Sequence, residues 1–165
     1  MLPLFVLLIS FGMAAGVLRL LRKAIHWPLV GRIALSTMLV FTAMGHVMFT
    51  AGMAKMIPDF IPFKIAMVYF TGLVEIIAAV GIHLRPVRKI TGLLLMIFFI
   101  LMLPANIKAA VEQLNYKTGQ FDGPGLNYLW FRIPFQILLI AWTYWWVLVN
   151  KKSSLQKTPT AKRDT

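Results

Sequence analysis

Long apolar segments separated by short polar or basic connections dominate the chain. Each segment is about twenty residues long, and because a helix rises about 1.5 Å per residue, each predicts a helix that crosses the roughly 30 Å hydrocarbon core of a bilayer. The pattern therefore predicts an all-α, polytopic membrane bundle in a single domain over residues 1–150. The predicted spans are 2–21, 33–51, 64–84, 90–111 and 128–149.

The third predicted span, KIAMVYFTGLVEIIAAVGIHL, carries one carboxylate, Glu75, at its middle. An unpaired charge there costs at least about 2.5–3.5 kcal/mol, so we expect Glu75 to face a partner, a cavity or a substrate. Gly72 and Ala79 lie on the same helical face as Glu75, and small residues let a second helix approach closely. This face is predicted to point into the bundle.

Other polar side chains interrupt the neighbouring spans. The second span contains one of them, the fourth contains another, and the fifth contains two that lie one helical turn apart. Because each is costly in lipid, we expect all of them to share a pocket with the glutamate in the outer half of the membrane. The candidate residues for ligand binding or proton handling are His46, Glu75, Asn106, Arg132 and Gln136.

The segment GMAKMIPDFIPF, residues 52–63, is apolar but too short to cross a membrane, and Pro58 and Pro62 interrupt it. It predicts a loop at the outer mouth of the bundle, where it would roof the pocket, although an ordinary apolar loop is an equally good interpretation. In the fourth span, Pro104 frees a carbonyl group one turn back, and a polar neighbour is expected to bond it.

Composition and charge support a membrane location. The chain is 59% hydrophobic and 13% charged, as expected for an integral membrane protein. Its net charge of +12 comes from residues in the connections and the tail, which does not indicate nucleic-acid binding. With the N-terminus outside, the cytoplasmic segments hold twelve Lys and Arg, counting Arg32, and the outer segments hold four. The tail, residues 151–165, is predicted to be a disordered cytoplasmic segment.

Several chemistries are excluded or unsupported. The absence of cysteine excludes thiol redox chemistry, disulfides and thiolate-bound metals. A haem bound by His46 and Met53 would need a second signal, so no metal or haem site is predicted. The chain shows no internal repeat, which leaves an inverted-repeat transporter without support.

Each candidate also has a structural interpretation. Glu75 and Arg132 would serve equally well as an ion pair that joins two helices. His46 could bond a hydroxyl or a backbone carbonyl group and have no other role, and Asn106 fits helix packing better than ligand binding. The pattern therefore assigns no catalytic residue.

Four segments, GHVMFTAGMAKMIPDFIP, GLVEIIAAVGIHLRPVRK, LPANI and RIPFQILLIAWTYWW, resemble in order and spacing the DoxX-like family of small membrane proteins. The resemblance covers residues 32–149. It implies a four-helix bundle made by the second to fifth spans, with the first helix as an addition. Name-giving members resemble subunits of a thiosulfate:quinone oxidoreductase, other members accompany redox proteins, and distant animal relatives are assembly chaperones.

The resemblance implies a bacterial plasma-membrane protein that binds a quinone-like or other amphiphilic molecule as an accessory subunit of a redox system. A quinone is the implied cofactor and a redox protein the implied partner, and a homo-oligomer is compatible with both. In this hypothesis His46 and Glu75 exchange protons, and Arg132 or Asn106 holds a carbonyl oxygen. The alternatives are a membrane chaperone or assembly factor whose polar cluster is structural, and a proton or solute path.

Overall fold

The structure is a computed structural model that describes residues 2–149, so the basic tail predicted to be disordered lies outside the described residues. The described part of the chain is helical throughout its regular elements. In chain order these are α1 (Leu2–Leu20), α2 (Trp27–Met48), α3 (Thr50–Met56), α4 (Lys64–Gly81), α5 (Arg88–Leu101), α6 (Leu103–Val111), α7 (Asn127–Thr143) and a π-helical turn, Tyr144–Leu148.

Within residues 2–149, five helical segments are long and apolar enough to cross a membrane. They are α1, α2, α4, α5 with α6, and α7 with the π-helical turn. The sequence-based prediction of an all-helical chain with five such segments is confirmed. The protein is therefore suited to a lipid environment on most of its lateral surface.

The start of α2 differs from the prediction. The helix begins at Trp27, and Pro28 occupies its first turn, where the missing N–H of proline leaves no hydrogen bond unmade. Arg32 is consequently a buried residue of α2. The prediction that Arg32 lies in the first connection was wrong. Arg32 was grouped with the nearby basic residues, although Pro28 in the first turn indicates that the helix already begins before Arg32.

The segment after α2 is also more ordered than predicted. Helix α2 ends at Met48, and α3 occupies Thr50–Met56, so only residues 57–63 form the loop that was expected over 52–63. Ile57 is extended, with φ −70° and ψ 132°, as a residue before proline prefers. Pro58 thus ends α3 and does not merely interrupt a loop.

Four helical segments enclose the core. Helix α2 packs against α4, α4 against α5, and α5 and α6 against α7, while α7 and its π-helical turn contact α2. Helices α4 and α7 therefore occupy diagonal positions. Helix α1 packs along α2 and leaves most of its surface outward. The buried apolar residues shared by these helices include Leu35, Leu39, Ala78, Leu95, Phe99 and Leu139.

The two ends of the bundle differ in character. We call the end with the connections 21–26 and 82–87 the basic end, and the end with residues 49–63 and 112–126 the loop end. At the loop end, Asp59 bonds two lysines, with Oδ1 2.5 Å from Lys64 Nζ and 3.1 Å from Lys108 Nζ.

These bonds hold the pKa of Asp59 below its usual range, and they fasten the loop after α3 to α4 and α6. The two anchors come from different helices. The loop is therefore fixed at the end of the bundle by its own carboxylate.

Candidate functional site

One polar contact inside the bundle joins two long helices, α2 and α4. His46, in the last turns of α2, places Nε2 3.5 Å from Oε2 of Glu75 in α4, and both side chains are largely buried. The distance is longer than a typical O–H···N hydrogen bond, and Glu75 Oε2 has no other partner in the described part of the chain. His46 is thus the closest charged or chargeable neighbour of the glutamate.

The other imidazole nitrogen fixes the tautomer. Nδ1 of His46 lies 3.0 Å from the carbonyl oxygen of Val68 and 3.0 Å from Oγ1 of Thr71. The carbonyl oxygen can only accept, and the Thr71 hydroxyl already donates to that carbonyl at 2.9 Å, so Nδ1 must carry a proton.

Nε2 is therefore the ring nitrogen that faces Oε2, and at 3.5 Å the two atoms do not form a hydrogen bond in this structure. Two protonation arrangements balance the charges of the pair: a carboxylic acid beside a neutral imidazole, or a carboxylate beside an imidazolium. Both arrangements have no net charge, which lowers the cost of placing the two groups in a membrane. The pair can pass a proton between its members without a change in total charge.

A glycine makes the close approach of the two helices possible. A Cβ atom placed on Gly72 would lie 3.1 Å from Cβ and 3.4 Å from Cγ of His46. Further along α4, Ala79 is also buried, and its carbonyl oxygen accepts a hydrogen bond of 2.7 Å from Ser36 of α2. The predicted small-residue face of α4 is therefore the face that packs on α2.

A groove of about 230 Å³ runs between α2 and α4 on the outer face of the bundle. His46, Gly72 and Tyr69 are among its lining residues, and its surface is almost entirely apolar. Most other lining side chains are aliphatic and exposed laterally, where lipid would lie. The full lining is Ala43, Met44, His46, Val47, Tyr69, Gly72, Leu73 and Ile76.

The structure does not join Glu75 to Arg132. No ion pair between them is present within residues 2–149, and the guanidinium carbon of Arg132 lies 5.9 Å from the ring centre of Phe135 on its own helix. The two residues project from the diagonal helices α4 and α7, which explains why they do not meet. Thr42 lies beside the glutamate, but its hydroxyl donates to backbone carbonyls of α2.

Asn106 and Gln136 bond the backbone near the break between α5 and α6. The side-chain nitrogen of Asn106 donates to the carbonyl oxygen of Met102 at 2.6 Å, and that of Gln136 donates across to the carbonyl oxygen of Phe99. Pro104 cannot continue the regular bonding pattern there. The carbonyl that Pro104 leaves without its helical partner is that of Ile100, four residues before it, whereas Gln136 bonds the neighbouring carbonyl of Phe99.

The five predicted residues thus fall into different settings. Only His46 lines the groove, Glu75 lies directly behind it, and Asn106 and Gln136 are engaged at the helix break. The loop with Pro58 and Pro62 does not line the groove, so it is not its roof.

Three further residues belong to the site and were not predicted from the sequence. Thr71 and the carbonyl of Val68 orient His46, and Tyr69 lines the groove. Thr71 lies four residues before Glu75, so its position on the same helical face was a signal for it. The positions of Val68 and Tyr69 depend on how α4 is rotated against α2, and the sequence pattern does not give this rotation.

These features define an all-helical protein with five segments able to cross a membrane and a protonatable pair between two of them. Residues 35–147 match a family described as a domain of unknown function (DUF8561), and the chain belongs to this family. No curated protein and no solved structure matches the chain. The matched region begins within α2 and includes α4 to α7, whereas α1 precedes it.

Proposed function

We propose that this protein is an integral membrane protein that binds a quinone-like or other amphiphilic molecule in the groove between α2 and α4. The observation that carries the proposal is the His46 and Glu75 pair behind a groove that opens toward lipid. Small-molecule sites combine apolar walls with few polar groups, and this groove has that composition.

The chemistry that these residues supply is proton exchange. A carbonyl oxygen in the groove can accept a hydrogen bond from the hydroxyl of Tyr69. Because Nδ1 of His46 faces Val68 and Thr71 and Nε2 faces Glu75, delivery of a proton into the groove requires the imidazole to turn away from one of these partners. Reduction of a quinone to a quinol consumes two electrons and two protons. In this proposal a partner redox protein supplies the electrons. The His46 and Glu75 pair takes up a new proton after each transfer.

The resemblance to the DoxX-like family supports this proposal. It favours an accessory subunit of a membrane redox system in the plasma membrane of a bacterium. The proposed orientation places the N-terminus outside and the basic end in the cytoplasm, in keeping with the excess of Lys and Arg in cytoplasmic segments. The groove then lies in the outer half of the membrane, because His46 is in the part of α2 nearer the loop end.

A membrane chaperone or assembly factor is the second candidate function. The bonds of Asn106 and Gln136 to backbone carbonyls favour it, because they show polar residues of this bundle acting to hold helices in shape. In that case the His46 and Glu75 pair would also be structural.

Mass spectrometry of small molecules that co-purify with the protein tests the proposal. The protein is extracted in mild detergent from quinone-containing membranes, as wild type and as the His46→Gln, Tyr69→Phe and Tyr144→Phe variants. Tyr144 is exposed at the basic end, far from the groove, and Tyr144→Phe is the matched control.

We expect quinone in the wild type and the control, and about tenfold less in Tyr69→Phe and His46→Gln at equal folded yield, since a lost hydrogen bond weakens binding by about that factor. Equal quinone in all four proteins would contradict the proposal and favour the chaperone function.

A further inference from the structure

The basic end of the bundle carries an unbalanced positive charge. All carboxylates within residues 2–149 belong to Asp59, Glu75, Glu112 and Asp122, which lie at the loop end or in the middle of α4. The cations of the basic end therefore have no acidic side chain near them in the described part of the chain. These cations are Arg19, Arg22, Lys23, Arg32, Arg85, Arg88 and Lys89.

Arg32 is the unusual member of this set, because it is buried. Its relative exposure is 8%, and its Nε atom is enclosed without a hydrogen-bond partner. The side chain of Arg32 makes no ion pair or hydrogen bond among residues 2–149. A buried charge normally has a partner, since burial without one is costly. Among residues 2–149, the surroundings of Arg32 therefore lack an anion.

The neighbours of Arg32 are held rigidly in place. Ser36, one turn along α2, donates to the carbonyl oxygen of Ala79 at 2.7 Å and accepts from Nε2 of His83 at 2.9 Å. Arg88 donates from Nε to the carbonyl oxygen of Ile82 at 3.0 Å and from Nη2 to that of His83 at 3.1 Å. Arg88 is thereby anchored to the end of α4.

The two arginines approach the same residue, His83, because Ser36, one turn from Arg32, bonds its imidazole and Arg88 bonds its carbonyl oxygen. Burial lowers the pKa of His83, and the charges of Arg32 and Arg88 lower it further, so both cations act on the same small region. A histidine that resists protonation adds a neutral hydrogen-bonding group to that region. Helix α2, the connection 82–87 and α5 thus bring two like charges together, and residues 2–149 place no acidic side chain beside them.

We propose that Arg32 and Arg88 hold the phosphate group of an anion at the basic end. A guanidinium fork matches a phosphate in geometry and charge, and the bonds that Arg88 already makes to the backbone pre-orient its side chain. The phosphate can belong to an anionic phospholipid or to a soluble phosphate. Trp27, Trp142 and Trp145 lie at this end, and tryptophan is typical of the membrane interface, which makes a lipid headgroup accessible to the site.

Native mass spectrometry of the purified full-length protein tests this site. The protein is exchanged into micelles that contain either phosphatidylglycerol or phosphatidylcholine, and bound lipid is counted for the wild type, Arg32→Gln, Arg88→Gln and Arg85→Gln. Arg85 is an exposed residue of the same connection as His83, so Arg85→Gln removes an equal charge at the same end and is the matched control.

We expect the wild type to retain phosphatidylglycerol at least about tenfold better than phosphatidylcholine. Arg32→Gln and Arg88→Gln should each reduce this retention about tenfold, while the control changes it less than about twofold. A further variant, Arg32→Lys, keeps the charge without the fork and should retain an intermediate amount. This variant preserves the test if Arg32→Gln does not fold.

Inorganic phosphate separates the two sources of the anion. Thermal unfolding is followed in lipid-free detergent at constant ionic strength, with phosphate against chloride. A rise in Tm that requires Arg32, without selective retention of phosphatidylglycerol, supports the same site with a soluble ligand. If neither the retention of phosphatidylglycerol nor the effect of phosphate on Tm requires Arg32 or Arg88, the proposed site does not exist. The same conclusion follows if Arg85→Gln reduces lipid retention as much as Arg32→Gln and Arg88→Gln do.

Discussion

Nε2 of His46 and Oε2 of Glu75 lie 3.5 Å apart and couple α2 to α4 inside the bundle. The sequence pattern had favoured Arg132 as the partner of the glutamate. The structure assigns this contact to a histidine, whose proton can move to the carboxylate while the pair keeps the same total charge. An arginine would instead have fixed the charge of the pair.

The His46 and Glu75 contact should therefore appear as an energetic coupling. In a double-mutant cycle of His46→Gln and Glu75→Gln, we expect a coupling free energy of about 1–3 kcal/mol, because each group loses its buried partner when the other is changed. The measurement is reversible unfolding of the purified protein. A parallel cycle of Glu75→Gln with Arg132→Met should give a smaller value, since these residues do not touch. The opposite ranking would contradict the assignment of His46 as the partner.

Gly72 should be sensitive to the smallest possible enlargement. Gly72→Ala places a Cβ 3.1 Å from Cβ of His46, so the His46 side chain or its helix must shift by a few tenths of an ångström. We expect a loss of about 1–3 kcal/mol in the free energy of unfolding and weaker quinone retention. Gly12→Ala is the control, because nothing lies within 4 Å of a Cβ at Gly12. Its stability should stay within about 0.5 kcal/mol of the wild type, and equal losses in both variants would argue against close packing at Gly72.

The sequence predicted correctly those features that depend on a single helix. The five apolar segments and the inward face of α4 depend on length and helical spacing, and both were predicted. Gly72, Glu75 and Ala79 share that face in the structure.

The sequence was less informative about contacts between residues on two different helices. Charge alone selected Arg132 as the partner of Glu75, but the choice depends on which helices are adjacent, and α7 is diagonal to α4. The sequence predicted that Pro104 would leave a backbone carbonyl without its helical partner. It did not indicate that Gln136, on another helix, donates to a carbonyl at this break. Arg32 was predicted to lie in a connection because a count of basic residues does not show where a helix begins, and Pro28 marks the first turn of α2.

Gln136 should be required for the stability of the broken helix. Gln136→Leu removes the donor to the carbonyl oxygen of Phe99 and leaves that oxygen unbonded in an apolar interior. We expect a loss of about 1–3 kcal/mol in the free energy of unfolding, with little effect on retention of a ligand in the groove. Ile137→Leu, on the outward face of the same helix, is the control and should be nearly neutral. Loss of ligand without loss of stability would place Gln136 in the binding site.

The stability of the basic end should depend on pH through His83. Burial and the charges of Arg32 and Arg88 lower the pKa of His83 in the folded protein, so the folded state binds its proton less readily than the unfolded chain. The stabilisation is complete above the unfolded pKa of about 6.5 and declines as the pH falls through that value toward the lower folded pKa. In His83→Gln, whose amide can still donate to Ser36, the decline in Tm between pH 7.5 and 5.5 should be smaller than in the wild type. An unchanged pH profile would contradict this assignment.

The proposed orientation is testable with single cysteines, because the chain contains none and labelling has no background. Lys117 lies exposed at the loop end and Lys89 lies exposed at the basic end, on opposite sides of the segment formed by α5 and α6. Gly119 is less suitable than Lys117, because its φ of +72° would strain a cysteine.

In intact cells a membrane-impermeant thiol reagent should label Lys117→Cys at once and Lys89→Cys only after permeabilisation, since the basic connections are expected in the cytoplasm. The reversed pattern would invert the orientation and keep the five spans. Equal labelling of both positions in intact cells would mean that α5 and α6 do not cross the membrane, and the five-span topology would have to be abandoned.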